Sequence, residues 1–367
     1  MINKKIFIHI NLPRDILRKS SYEENFLKGV LKYSSHINGL IDGFEKNNIT
    51  PIFSFRMHYF FDWKCLHKSK YYKYFFVPYN FLFGSIDNWF LYKMIYNKIL
   101  NEKINYYFTE LNPTITKNFL KKLEKLKVFS VEWFGLFPNQ LRFNTRPNKT
   151  LQYFDLIASG ENYLPYFKEK PKKFLLIPQA ISTNKIFNIK KGENEKQIDI
   201  LFIGSVAKIH SNRWMYLEFL YKNFKNLEFY GFGIDQVPGS YNFKSIFKEG
   251  LWGDEYFKKM KNAKIVINLF QDDYENLSDG INIRAFEIPA CGSLQLCKRL
   301  PFINKYFKED QDIVLFSDVN ELKEKIDFYL ENKTKRNFII SNGFKSVKKY
   351  DYKNQLKSII QSVSNYG

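Results

Sequence analysis

Short apolar runs alternate with longer amphipathic stretches along the chain, and the alternation occurs twice. In the N-terminal half the runs Lys5–Ile10, Thr50–Phe55, Ile104–Phe108, Lys127–Val131, Asp155–Ala158 and Phe174–Ile177 have the length and the β-branched or aromatic content of buried strands. Between them, Tyr22–Lys46 has helical patterning interrupted near Ser34-Ser35. Thr114–Leu126 sets Ile115, Phe119, Leu123 and Leu126 on one helical stripe. Asn188–Gln197 is polar, poor in apolar residues and contains a glycine, as an interdomain linker would. Alternation then restarts with strand Ile198–Ile203, loop Gly204–Ser211, helix Asn212–Lys222, strand Leu227–Tyr230 and the turn Gly231-Phe-Gly233. A helix at Asp254–Asn262 and strands at Ile265–Phe270, Ser293–Cys297 and Ile313–Phe316 follow, then a helix at Glu321–Asn332. This rhythm predicts an α/β protein with two parallel-sheet, Rossmann-like domains. Residues 1–187 form the first and residues 198–350 the second, with 188–197 as linker and 351–367 as a last helix placed to pack back on the first domain.

The second domain holds the most informative stretch, Asp279-Gly-Ile-Asn-Ile-Arg-Ala-Phe-Glu-Ile-Pro-Ala-Cys-Gly292. A strand, a polar loop from Gln271 to Ser278 and then a helix form a ready site for an anion, because the helix start presents unpaired N–H groups. Asp279 falls in the loop, and Glu287 lies about two helical turns into the segment. Arg284 precedes Glu287 by three residues, on the same helix face. Carboxylates beside a phosphate-binding helix end suit a ligand with both hydroxyls and phosphates, such as a nucleotide sugar.

Upstream, Gly204-Ser-Val-Ala-Lys-Ile-His-Ser-Asn-Arg213 follows a strand and opens a helix. A small-residue turn lets backbone amides approach phosphate oxygens, and Lys208 and Arg213 can neutralise a departing diphosphate. Gly204 and Ser205 supply the turn itself. The spacing is neither Gly-x-Gly-x-x-Gly nor a P-loop, so the usual NAD and ATP fingerprints are absent.

The motif Gly-Ile-Asn-Ile-Arg-Ala-Phe-Glu-Ile-Pro-Ala-Cys-Gly resembles the donor-site signature of retaining glycosyltransferases with the GT-B fold. It is similar to the version in the spore-maturation (CgeB-like) branch, with Asp279 in place of the first Glu of Glu-x7-Glu. The resemblance covers roughly Ile198 to Ile360. It implies two Rossmann-like domains facing each other across a cleft, with the donor, a UDP- or GDP-sugar, in the second. It also implies that Glu287 binds the ribose hydroxyls, that Asp279 and Asn282 address the sugar or its phosphates, and that Gly250-Leu-Trp-Gly-Asp-Glu255 cradles the nucleobase. Trp252 could there stack on the base or serve as a core side chain. Enzymes of this type need no metal or cofactor, since basic side chains stabilise the departing diphosphate; no His or Asp-x-Asp cluster here suggests a metal site.

The N-terminal half offers acceptor-side candidates by position. His9, Glu110 and Glu132 each stand at or near the C-terminal end of an expected strand, where α/β sheets meet ligands, and any of them could orient or deprotonate an acceptor hydroxyl. His210, in the phosphate loop, is a further candidate. The acceptor itself (a surface polysaccharide, a lipid-linked glycan or a protein) is left open.

Composition changes this picture little. A net charge of +20 favours anionic partners, but the cations are scattered, so a dedicated nucleic-acid face is not expected. Aromatics reach 19% and crowd into Tyr71–Leu100, either as core and acceptor lining or as a surface that touches a membrane. Cys65, Cys291 and Cys297 have neither disulfide-scaffold nor zinc spacing and read as reduced, structural thiols. Ile6–Ile10 is too short for a signal-peptide core and no apolar run is long enough to span a bilayer. The expectation is a cytoplasmic enzyme, with peripheral contact at the inner membrane surface open. The alternatives are a nucleotide-sugar-binding or structural protein that kept the fold and lost turnover and, supported only by charge, a basic nucleic-acid-binding protein.

Overall fold

The computed structural model describes residues 4–10, 26–55, 89–110, 115–134, 150–162, 170–189, 197–270 and 281–364. The chain divides into two compact units, Met1–Gln179 with Tyr352–Gly367, and Ala180–Asp351. The division falls upstream of Asn188–Gln197, because residues 180–189 are committed to the second unit. Ala180 and Ile181 are buried, Ile181 bridges to Asp351, and the Thr183 amide donates to Asp351 Oδ2 at 3.2 Å.

In the first unit, β1 (Lys4–Ile10), β2 (Ile49–Phe55), β3 (Tyr106–Glu110), β4 (Phe129–Phe134), β5 (Leu156–Ser159) and β6 (Phe174–Leu176) form a parallel sheet in the order β2-β1-β3-β4-β5-β6. Such strands must be apolar on both faces, since helices cover both. Helix α1 (Phe26–Tyr33) stops where α2 (Ser35–Glu45) begins. The break anticipated near Ser34 is a cap: the Ser34 hydroxyl accepts from the Ile37 amide at 3.2 Å. Helix α3 (residues 89–101) buries Leu91, Tyr92, Ile95 and Ile99 in one core with Phe119 and Leu123 of α4 (Lys117–Lys125). That part of the aromatic stretch is core on its inner face; residues 71–88 lie outside the described residues.

In the second unit α5 (Thr183–Asn188) leads to β7 (Ile198–Ile203), α6 (Asn212–Asn223), β8 (Leu227–Gly231), β9 (Phe247–Glu249) and α7 (Gly253–Lys261). Then come β10 (Ala263–Asn268), α8 (Arg284–Ala290), β11 (Leu294–Lys298), β12 (Val314–Phe316), α9 (Val319–Glu331) and α10 (Lys333–Val347). The sheet is parallel, in the order β12-β11-β10-β7-β8-β9. Its main core joins Ile200 and Phe202 of β7 to Leu217 and Leu220 of α6 and Leu322 and Ile326 of α9. A capping box starts α9: Asp318 Oδ1 accepts from the Asn320 and Glu321 amides while Glu321 Oε2 accepts from the Ser317 amide. Strand β9 and helix α10 were not evident from patterning. In α10 the apolar residues spread around the axis, with Ile339 buried and Phe338 56% exposed.

The last helix, α11 (Tyr352–Ser364), belongs to the first unit and packs on α2. Among the described residues no helix is long and apolar enough to cross a membrane.

Candidate functional site

Strand order points to a candidate site in the second unit. The chain builds outward from β7 through β8 to β9, then returns to β10 and builds the other way, so β7 and β10 meet at a topological switch point. Helices leave those two strands toward opposite faces, and the crevice at their C-terminal ends is where α/β sheets take ligands.

The β7 end is a tight turn with little room for side chains. The Gly204 amide donates to the Tyr230 carbonyl at 2.8 Å, and a Cβ on Gly204 would meet the Phe202 ring at 3.0 Å and overlap the Arg284 guanidinium. Gly231 has φ +155°, and a Cβ there would overlap the Gly204 carbonyl. Two glycines therefore let β7 and β8 turn against each other. Arg213 braces the loop from inside: it is 3% exposed, and its Nη1 donates to the Ser205 carbonyl at 2.7 Å and its Nε to Phe270 at 3.4 Å. Lys208, the other cation expected here, is exposed, and its amide donates to Gln236 Oε1 at 3.0 Å.

Arg284 and Glu287 share α8 but not each other's hydrogen bonds. Arg284 Nη1 donates to the Ile203 carbonyl, the last of β7. Its remaining N–H donors have no partner among the described residues. Glu287 is 6% exposed, and its Oε2 accepts from the Tyr256 hydroxyl at 2.7 Å. Burial pushes the Glu287 pKa up from 4.5 to about 7, against the lowering effects of Tyr256 and Arg284. Burial together with the Glu287 charge pushes the Tyr256 phenol well above its ordinary value.

His210 completes a basic corner. Its Nδ1 is enclosed without a hydrogen-bond partner among the described residues. Burial, with the neighbouring charges of Arg213 and Arg284, drops its pKa to about 3, so the imidazole is neutral at physiological pH. Two guanidinium groups around an unpartnered imidazole nitrogen form an arrangement that an anion would complete.

Asn282 was expected to meet the sugar or its phosphates. Its Oδ1 accepts from the Ala285 amide at 3.1 Å, capping α8, and its amide exchanges hydrogen bonds with Asn268 at 3.0 and 3.2 Å. The helix is 7 residues long and its first turn is closed by that cap, so the anion-binding capacity rests on side chains. Asp279 lies outside the described residues. Trp252 is half-buried just before α7, its ring 5.6 Å from that of Phe232, which is 45% exposed. Tyr256 follows one turn later, so the aromatic pair and the Tyr256–Glu287 contact share one helix start. An apolar recess lined by Phe187, Lys261, Ala290, Cys291, Gly292 and Phe344 lies at the opposite end of α8, away from the charged groups.

In the first unit β1 and β3 meet at the corresponding reversal of strand order. His9 is fully buried there, with Nδ1 2.8 Å from the Tyr107 hydroxyl, and Glu132 is 2% exposed. Glu110 is more open, with 21% of its side chain exposed, and its Oε2 lies 2.7 Å from His36 Nε2. The other nitrogen of His36 contacts the Tyr352 hydroxyl. Tyr256, Phe232 and His36 carry no recognisable spacing in sequence; each is recruited by an element distant along the chain. Among the described residues no three His, Cys, Asp or Glu side chains gather as a metal site.

Residues 207–361 match the family model described as glycosyl transferase-like. No curated protein matches the chain. Sucrose-phosphate synthase from Thermosynechococcus elongatus superposes with a TM-score of 0.63 at 10% identity, over 99% of this chain and 100% of that one. An α-glucosyltransferase in complex with UDP-glucose and DNA containing an abasic site gives 0.61 at 12% identity, over 98% and 99%. A trehalose-6-phosphate synthase gives 0.62 at 10% identity, over 99% of each chain. The fold is GT-B. The matched residues 207–361 take in the loop after β7 from Ala207 onward, α7 and α8.

Proposed function

We propose that the protein is a glycosyltransferase that moves a sugar from a nucleoside-diphosphate sugar to a hydroxyl acceptor. The observation that carries this reading is the convergence of Arg284, His210 and the Tyr256-bound Glu287 where β7 and β10 end. Arg284 and the Gly204–Ser205 turn would hold the diphosphate, Glu287 the ribose, and Trp252 with Phe232 the base. Lys208 would add long-range attraction from the surface. UDP is the first nucleotide to test, because a structural neighbour was solved with UDP-glucose and another with UDP-2-fluoro glucose.

In this scheme negative charge grows on the leaving diphosphate as the glycosidic bond breaks. Arg284 meets that charge with donors already oriented, which lowers the barrier without a metal. His210, neutral before the donor binds, becomes easier to protonate beside a diphosphate and can hydrogen-bond it. We assign acceptor orientation to the first unit, with Glu110 ahead of His9 and Glu132 because it alone of the three is open to solvent. Retention of configuration and kinship with the spore-maturation branch remain part of this proposal, as do Asp279 and Asn282 at the sugar and a cytoplasmic location beside the membrane.

A thermal-shift screen of UDP-, GDP-, CMP- and dTDP-sugars tests the reading, since a bound ligand raises the melting temperature by mass action. Stabilisation by a nucleotide sugar, followed by donor hydrolysis or transfer that survives EDTA, is the expected result. No response to any nucleotide refutes it, and activity lost to EDTA and restored by Mg2+ refutes the metal-free scheme.

A further inference from the structure

Arg284 and Glu287 stand three residues apart on one helix, a spacing at which opposite charges ordinarily pair. Here each is drawn to a different partner, Arg284 to the Ile203 carbonyl and Glu287 to the Tyr256 hydroxyl. Tyr256 comes from α7, which is fastened to the far end of α8 by a second set of contacts: Ser293 Oγ donates to the Met260 carbonyl at 2.5 Å, and Cys291 Sγ lies 4.0 Å from Met260 Sδ. The phenol is therefore held on a rigid frame. Glu287 Oε1 has no hydrogen-bond partner among the described residues. A carboxylate with one oxygen tied and the other open is a directed acceptor for a further donor.

We propose that Tyr256 is the positioning residue that turns Glu287 away from Arg284 and toward the ribose, so that the site selects nucleoside diphosphates carrying both vicinal hydroxyls. This rests on the donor-site reading given above. Tyr256 does not touch the reacting atoms. Its contribution is to keep the carboxylate and the guanidinium apart, so that each has capacity left for its own part of the ligand. Without the phenol, Glu287 can rotate onto Arg284, and ribose and phosphate both lose a partner that was oriented in advance.

The test compares UDP with 2′,3′-dideoxy-UDP by isothermal titration on the full chain. The parent is expected to prefer UDP by at least tenfold. Tyr256→Phe keeps the ring and removes one hydroxyl, and should cut that preference to within about threefold of unity. Glu287→Ala should do the same, and the double variant should be no worse than Glu287→Ala, because both changes remove one coupled interaction. General damage to the site would weaken both ligands alike and leave their ratio where it was. A Tyr256→Phe protein that retains the parent's preference overturns the role of Tyr256 alone. A parent that binds neither ligand or does not distinguish them, or a Glu287→Ala protein that still discriminates, overturns the ribose reading and Tyr256's role with it.

Discussion

Glu287 should make the empty protein less stable than a neutral side chain in its place would. In an unfolded chain its carboxyl titrates near 4.5; in the folded protein burial raises that to about 7. The folded state thus binds the proton more tightly than the unfolded state does. Its stabilising effect is fully present below pH 4.5 and is lost as pH rises through about 7. The difference is worth about 3 kcal/mol at ~1.4 kcal/mol per tenfold, nearly all of it lost by pH 8. Glu287→Gln keeps an oxygen to accept from Tyr256 and never ionises. It should match the parent near pH 4.5 and exceed it at pH 8, raising the melting temperature of the second unit by on the order of 5–10 °C. Nucleotide affinity should fall in the same variant. The assay is thermal unfolding by circular dichroism without nucleotide, at pH 4.5 and pH 8. A Gln variant that melts below the parent at pH 8 would refute the reasoning, because the carboxylate would then be a structural anchor and not a group kept ionisable for a ligand.

Other outcomes follow from the same geometry. Arg284→Ala should weaken UDP binding at least tenfold, about 1.4 kcal/mol or more, by titration calorimetry. Unchanged affinity would remove Arg284 from the phosphate site. Saturating UDP should raise the His210 pKa from about 3, visible in its imidazole carbon shift by NMR; a fixed value would place the diphosphate elsewhere. Gly231→Ala, at φ +155° against the Gly204 carbonyl, should cost more than 2 kcal/mol or abolish soluble expression, and wild-type stability would contradict the packing described. For His36, burial lowers the pKa but the charge and hydrogen bond of Glu110 outweigh it, so the net value is raised above 6.5. The stability it lends the first unit is full below pH 6.5 and declines as pH rises through the raised value, a slope that His36→Gln should flatten in pH-dependent melting.

Sequence by itself determined the strands, β9 excepted, and the order in which they come. Ile198–Ile203 or Ile6–Ile10 can satisfy their apolar side chains on both faces only inside a parallel sheet, and twice-repeated alternation with helices leaves few other folds. The turn after β7 and the placing of Arg284 and Glu287 on one helix were also legible, because both are local facts. Tertiary structure decided how those residues are used. Arg213, expected at the phosphates, braces its own loop from a buried position, and Asn282, expected at the sugar, also takes the Ala285 amide at the start of α8. The boundary between the units lies at Gln179 and not at the polar stretch 188–197, because burial of Ala180 and Ile181, not local polarity, fixes which unit a segment joins. Tyr256 could not have been singled out, since its hydroxyl matters only through a carboxylate 31 residues away. The α7 and α8 helices bring the two together, and a contact of that kind has no period or spacing to betray it in the chain.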